Sequence, residues 1–217
     1  MMFDEGVRIF PNVEIGEGTT IDGPVVLGKP PRGKAPGEVK LVIGPGSHIR
    51  PFTVIYAGSV IGARFNTGQG ASIREDNVIG DDCSVGTHAV LEFGNRIGNG
   101  CRIHTGCFLE LVTLGERVFL GPHVVFTDDP HPMGCPRYTE CKGGGVVGDY
   151  AAIGANSTIL PGIRIGARAL VGAGSVVTRD VAPETVVAGS PAELKKRVDQ
   201  LVCEPGFFER PYVWHPR

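Results

Sequence analysis

The sequence predicts an all-β coil of hexapeptide repeats, and three observations carry that prediction. The first is a beat. Ile43, Ile49, Ile55, Ile61, Thr67, Ile73, Ile79, Val85, Leu91, Ile97, Ile103 and Leu109 fall on every sixth residue, and all but Thr67 are aliphatic. The second is the glycine behind the beat: Gly44, Gly62, Gly68, Gly80, Gly86 and Gly98 each sit one residue later. The third is composition, with 33 Gly and 17 Pro but only 7% aromatic residues, which suits short strands, tight corners and a thin core. A period of six fits neither a helix, at about 3.6, nor an alternating strand, at about 2. It fits a β-helix in which each hexapeptide forms one face of a coil. The aliphatic residue points into the core. The glycine after it is expected at a corner, where a side chain or a negative φ would hinder the turn.

Ile15, Ile21 and Leu27 already keep the beat, so the coil is expected over Val7–Gly189. Lys29–Lys40 breaks it with Pro and Gly and reads as an excursion loop. This loop carries Lys29, Arg32 and Lys34. It is either a solvated loop or a basic arm reaching towards an anionic substrate such as a sugar-nucleotide phosphate. After Leu109 the register slips by one residue, to Leu114, Leu120 and Phe126. A second excursion spans Asp128–Gly145 and holds His131, Cys135 and Cys141. Loops thrown from a rigid repeat are where function concentrates. The beat resumes at Val147 and ends near Val187. From Pro191 the run AELKKRVDQLV reads as a capping helix, with Ser190 as N-cap and Leu194, Val198, Leu201 and Val202 on one face. The division is therefore a β-helix over 1–190 and a capping helix and tail over 191–217. Phe207, Phe208, Tyr212 and Trp214 in the tail are expected to pack on the prism or on a neighbouring subunit.

The remaining bounds are mostly exclusions. A net charge of −2 gives no reason to expect nucleic acid or membrane as a partner. No apolar run reaches membrane-spanning length, and MMFDEGVRIF has neither the basic region nor the apolar run of an export signal. A cytoplasmic protein with free thiols is the expectation for its six Cys.

Val118–Val198 carries a more specific pattern. VFLGPHVVFTDDPHP, then ILPG, VGAGSVVT and AGSPA in that order, resembles the C-terminal half of hexapeptide-repeat acyltransferases. These include galactoside and maltose O-acetyltransferases and sugar-nucleotide N-acetyltransferases. The resemblance implies a left-handed parallel β-helix, a homotrimer, active sites between adjacent subunits, and acetyl-CoA as co-substrate. It also implies cofactor contacts: Ala155 of IGAN, Ala173 of VGAG, Thr178 with Arg179, and Lys196 from the capping helix. Small residues would let the pantetheine arm lie close, and the two cations suit its phosphates.

Acyl transfer needs a base for the acceptor proton and a stabiliser for the oxyanion. His131, in Asp128-Asp-Pro-His-Pro, is the first candidate base, since the galactoside enzymes place their catalytic His in a His-Pro step here. Met133-Gly-Cys135-Pro departs from their continuation. His104 is the rival, because it stands directly after Ile103, where the beat usually places Gly, and so should face outward. Glu110, at the same kind of corner, and His123 are candidate acceptor contacts. His131, Cys135 and Cys141 could also be read as zinc ligands, but a metal would occupy the lone pair a base needs. The reading keeps the base and expects no metal. The expected activity is acetylation of the amine of a nucleotide-linked amino sugar for surface polysaccharide, with sugar O-acetylation as the alternative. A γ-type carbonic anhydrase or a non-catalytic β-helix are the alternatives of another class.

Overall fold

A computed structural model describes residues 5–131, 133–141 and 143–212, so Trp214 lies outside the described residues. Among the described residues the chain winds as a three-faced prism of sheets with nine, eight and ten strands, parallel except for the last strand of the third. The first face runs from Val7–Ile9 to Val176–Val177, the second from Val13–Ile15 to Arg164–Ile165. The third runs from Thr20–Ile21 to Thr185–Ala188 and ends on Glu193–Arg197. Strands skip two places in sequence between neighbours, so each circuit of the chain adds one rung to every face. The pairings are consistent throughout with the left-handed parallel β-helix implied by the resemblance.

Each beat residue stacks on its counterpart one coil away: Ile43 on Ile61, Ile61 on Ile79, Ile79 on Ile97. These side chains are almost fully buried and form one continuous core. The next rung pairs Ile97 with Leu114, so the slip after Leu109 is a corner one residue short, not a break in the sheet. Thr67 is the one polar beat residue. Its buried hydroxyl is within 3.1 Å of Thr53 Oγ1 and accepts from the Arg50 amide, which removes the cost of burying it.

The corner glycines correct one expectation. The residues at positive φ lie two places further on, at Gly46, Asp82 and Gly106 for example, whereas Gly44, Gly68 and Gly80 have ordinary φ. The glycine after the beat is needed for close approach. A Cβ on Gly68 would sit 2.2 Å from the Thr87 amide nitrogen, which belongs to the next coil's backbone and cannot swing away. Gly68→Ala is therefore expected to destabilise the protein by about 2 kcal/mol or more, as overpacking does. A denaturant midpoint equal to wild type would show that the coils separate there at no cost.

The predicted capping helix is a second correction. Glu193–Arg197 is a strand, antiparallel to Thr185–Ala188, with a single 3-10 turn after it at Val198–Gln200. Only Val198 of the proposed apolar face is buried, while Leu194 and Val202 are exposed. The reason is the open sheet edge. A short isolated helix is marginal, whereas the last strand of the third face offers a row of unpaired backbone groups. The cap is made by β-pairing. Both excursions lie where expected, with strands ending at Lys29 and resuming at Leu41, then ending at Phe126 and resuming at Val146.

Candidate active site

The three edges of the prism differ in chemistry. The residue after each beat on the second-to-third edge is glycine at every coil from Gly16 to Gly166. The third-to-first edge begins with Asp22 and Arg50 and then carries Gly68, Gly86, His104, Gly121, Gly154 and Gly172 in turn. From Tyr56 onward the first-to-second edge carries side chains at the same position: Tyr56, Arg74, Glu92, Glu110, Thr127, Leu160 and Thr178. Both excursions leave from that edge, because each interrupts the chain between a first-face strand and a second-face strand.

On the third-to-first edge the structure brings together four of the sequence-predicted residues. His104 is exposed, as expected, and its ring rests against Phe119 with centroids 5.0 Å apart. His123 is one coil further on. Its ring lies over Gly106, where a Cβ would meet Nδ1 at 2.4 Å, so glycine makes room for the imidazole beside the His104 corner. The next two coils contribute Ala155 and Ala173, flanked by Gly154, Gly172 and Gly174, so the edge beyond the histidines is a smooth channel of small residues. An extended thioester arm can lie against such backbone.

On the first-to-second edge lie Glu110 and the second excursion. The loop is pinched at its base by the Gly143 amide donating to Asp128 O at 2.9 Å. It returns against the Glu110 corner, since a Cβ on Gly144 would meet the carbonyl oxygens of Leu111 and Glu110 at 2.3 and 2.5 Å. Only glycine lets the chain pass there. His131 is exposed on this loop, and its amide donates to Asp129 Oδ1 at 2.8 Å. Thr178 and Arg179 turn the last corner of the same edge. Arg179 lines a cleft of about 350 Å³ with Thr185, Ala192 and Leu194, formed beneath the final coil by the antiparallel strand. Lys196 is exposed on that strand opposite Val186.

His131 and His104 thus stand on different edges of one chain. Ala155 and Ala173 are likewise separated by the width of the first face from Thr178 and Arg179. Among the described residues no three His, Cys, Asp or Glu side chains are grouped to hold a metal, so His131, Cys135 and Cys141 do not converge. Two of the buried thiols are poor nucleophiles: the hydrogen bond with Cys83 and burial push the Cys101 thiol up, and burial pushes that of Cys107 up.

Sequence reasoning missed a further cluster. Arg74 pairs with Glu75 at 2.9 Å and Glu92 at 3.0 Å, and its guanidinium lies over the Tyr56 ring. Burial works against ionisation of Glu75, but Arg74 outweighs it and holds the carboxyl below its ordinary range. Beneath this edge Asn77 and Asn95 form a fully buried ladder. The Asn95 amide group donates to Glu92 O and Asn77 Oδ1, both at 2.8 Å, and its Oδ1 accepts from the Val112 amide at 2.9 Å. Asn95 thereby props the short corner that carries Glu110. Asn95→Leu would leave the buried Val112 amide unpaired, at about 1–3 kcal/mol, and would remove the link between the two asparagine side chains. It is expected to lower the unfolding midpoint clearly; a neutral result would mean that water takes over the ladder. The signal was present in the sequence at a longer period. Tyr56, Arg74, Glu92 and Glu110 are 18 residues apart, one full coil, and a period of eighteen sorts the chain into edges.

Comparison with known proteins agrees with this architecture. Residues 144–179 match the family model for the bacterial transferase hexapeptide (six repeats), and residues 76–110 that for the hexapeptide repeat of succinyl-transferase. The chain is 32% identical over 95 residues to the galactoside O-acetyltransferase of Escherichia coli, covering 41% of this chain and 45% of that protein. It is 46% identical over 56 residues to 2,3,4,5-tetrahydropyridine-2,6-dicarboxylate N-acetyltransferase of Staphylococcus aureus, covering 26% and 23%. The chain thus spans less than half the length of these curated relatives. In fold it resembles the UDP-N-acetylglucosamine acyltransferase from Campylobacter jejuni, with a TM-score of 0.62 at 15% identity over 91% of this chain and 75% of that one. Two stretches of the chain thus match repeat models of hexapeptide transferases, and the prism continues the same six-residue repeat on either side of them.

Proposed function

We propose that the protein is an acetyl-CoA-dependent acetyltransferase acting on the amine of a nucleotide-linked amino sugar, and that it works as a homotrimer with its sites between subunits. One observation carries this reading. All the candidate residues but Lys196 fall on the two edges that flank the first face, and that face is the one suited to self-association. From Val54 onward its outward side chains are uncharged: Val54, Val90, Phe108, Val125 and Val176, interrupted by Ser72 and Thr158. The second face presents Glu14, Arg96 and Arg164, and the third Arg102. Closing a ring of copies on the first face sets the His104 edge of one chain beside the His131 edge of the next. Apolar cores of this kind are what permanent interfaces bury.

In such a site the pantetheine arm runs along the small-residue channel of Ala155 and Ala173, and Arg179 and Lys196 meet its phosphates. His131 takes the proton from the attacking amine. His104, held against Phe119, faces the thioester carbonyl from the other subunit. Glu110 and His123 contact the acceptor. The test is to supply acetyl-CoA with amino sugars, their nucleotide conjugates and neutral glycosides, and to monitor release of the free thiol. Acetylation of neutral glycosides alone would favour the O-acetyltransferase reading, which the galactoside relative supports. Failure to release thiol with any acceptor and to bind any CoA ester would remove the enzyme reading.

Arg179→Ala combined with Lys196→Ala is expected to raise the KM for acetyl-CoA about tenfold, the scale of two solvent-facing charged contacts. The acceptor KM should move much less. Equal wild-type affinity for CoA and for its phosphate-free pantetheine fragment would contradict the assignment.

A further inference from the structure

We infer that Lys29 and Arg32 form a diphosphate site that reads the nucleotide of the acceptor. This rests on the acetyltransferase reading above and names the part of the acceptor that the first excursion holds. Lys29 is placed by the sheet. Its carbonyl accepts from the Ala57 amide at 2.9 Å, and it pairs with Tyr56 across a bulge. The bulge turns on Gly28, at φ 75°, where a Cβ would meet Val13 Cγ2 at 2.3 Å. The Lys29 ammonium lies 5.1 Å from the Tyr56 ring centroid. Pro30 and Pro31 come next and stiffen the chain up to Arg32. The rest of the excursion is tied down through Asn12 to Gly37 and Lys40 to Glu14.

Charge pairing sets these two cations apart from the others beside them. Lys34 is committed to Glu38, Lys40 to Glu14 and Arg74 to Glu75 and Glu92. Among the described residues no carboxylate pairs with Lys29 or Arg32. Both stand on the edge that bears Glu110 and the His131 loop. Tyr56 and Glu110 are three coils apart, about 14 Å at the spacing of neighbouring strands. An extended sugar nucleotide with its amine at Glu110 would run down the edge past Glu92 and bring its phosphates towards Lys29. A lysine point charge and an arginine fork are the usual pair for that group.

The test is calorimetric titration of the full-length protein with uridine diphosphate and, separately, with inorganic pyrophosphate. Uridine diphosphate should bind at least as tightly as pyrophosphate and more weakly as salt rises. Lys29→Ala with Arg32→Ala should weaken it about tenfold, on the scale of two exposed charged contacts. Lys34→Ala, whose charge is already neutralised by Glu38, should leave the affinity at the wild-type value. Unaltered affinity in the double variant overturns the site, as does a wild type that holds pyrophosphate but not uridine diphosphate. The readout needs no turnover. A protein that binds uridine diphosphate through these residues yet transfers no acetyl group leaves this assignment standing and removes the acetyltransferase reading.

Discussion

Replacing His131 by alanine is expected to lower kcat about a hundredfold or more, the scale of losing a general base, with little change in the KM for acetyl-CoA. The expectation comes from where the loop puts the side chain. The excursion is pinned at Gly143 and pressed against the Glu110 corner through Gly144, yet His131 itself is exposed. The loop therefore presents the imidazole outward, away from its own prism. The channel of small residues lies on another edge, so the donor contacts should survive the substitution. A hydroxyl acceptor should depend on the base more steeply than an amine, which can enter already neutral. If His131→Ala keeps a near-normal rate while His104→Ala does not, the order of the two histidines is reversed.

Phe108→Asp is expected to separate the subunits and abolish turnover together. Phe108 points outward at the middle of the uncharged first face and is half-buried, with its backbone held in the sheet between Val90 and Val125. Within a single chain the carboxylate reaches water and the coil survives. Against a second copy it would be buried without a partner, which costs several kcal/mol. Light scattering and turnover on one sample check this. A variant that unfolds is distinguished by its circular dichroism, and in that case Val90→Lys on the same face gives the same comparison.

Much of the fold was legible because the β-helix repeats one decision many times. Each hexapeptide buries one aliphatic residue and turns one corner, so Ile43 to Leu109 declares the architecture, and Leu114 declares the one-residue slip. The illegible part depended on packing between coils. The glycine after each beat is explained by the distance from Gly68 to Thr87, which no local rule contains. The terminal helix was misread because AELKKRV has a helical pattern, and only the exposed edge at Thr185–Ala188 makes strand pairing the better choice. The candidate residues were found from motif and chemistry, but their distribution over two edges was hidden. It emerges when His104 and Glu110, six residues apart, prove to turn successive corners at either end of Phe108–Leu109.

The central claim is that one site takes residues from two chains. Mixing two inactive variants tests it most directly. His131→Ala keeps its own His104, and His104→Ala keeps its own His131. Co-expressed or dissociated and reassembled together, they should regain activity, because about a quarter of randomly assorted interfaces then pair two intact edges. Recovery of roughly that fraction of wild-type turnover is the predicted result. Mixed assemblies that stay as inactive as either parent would contradict the composite site.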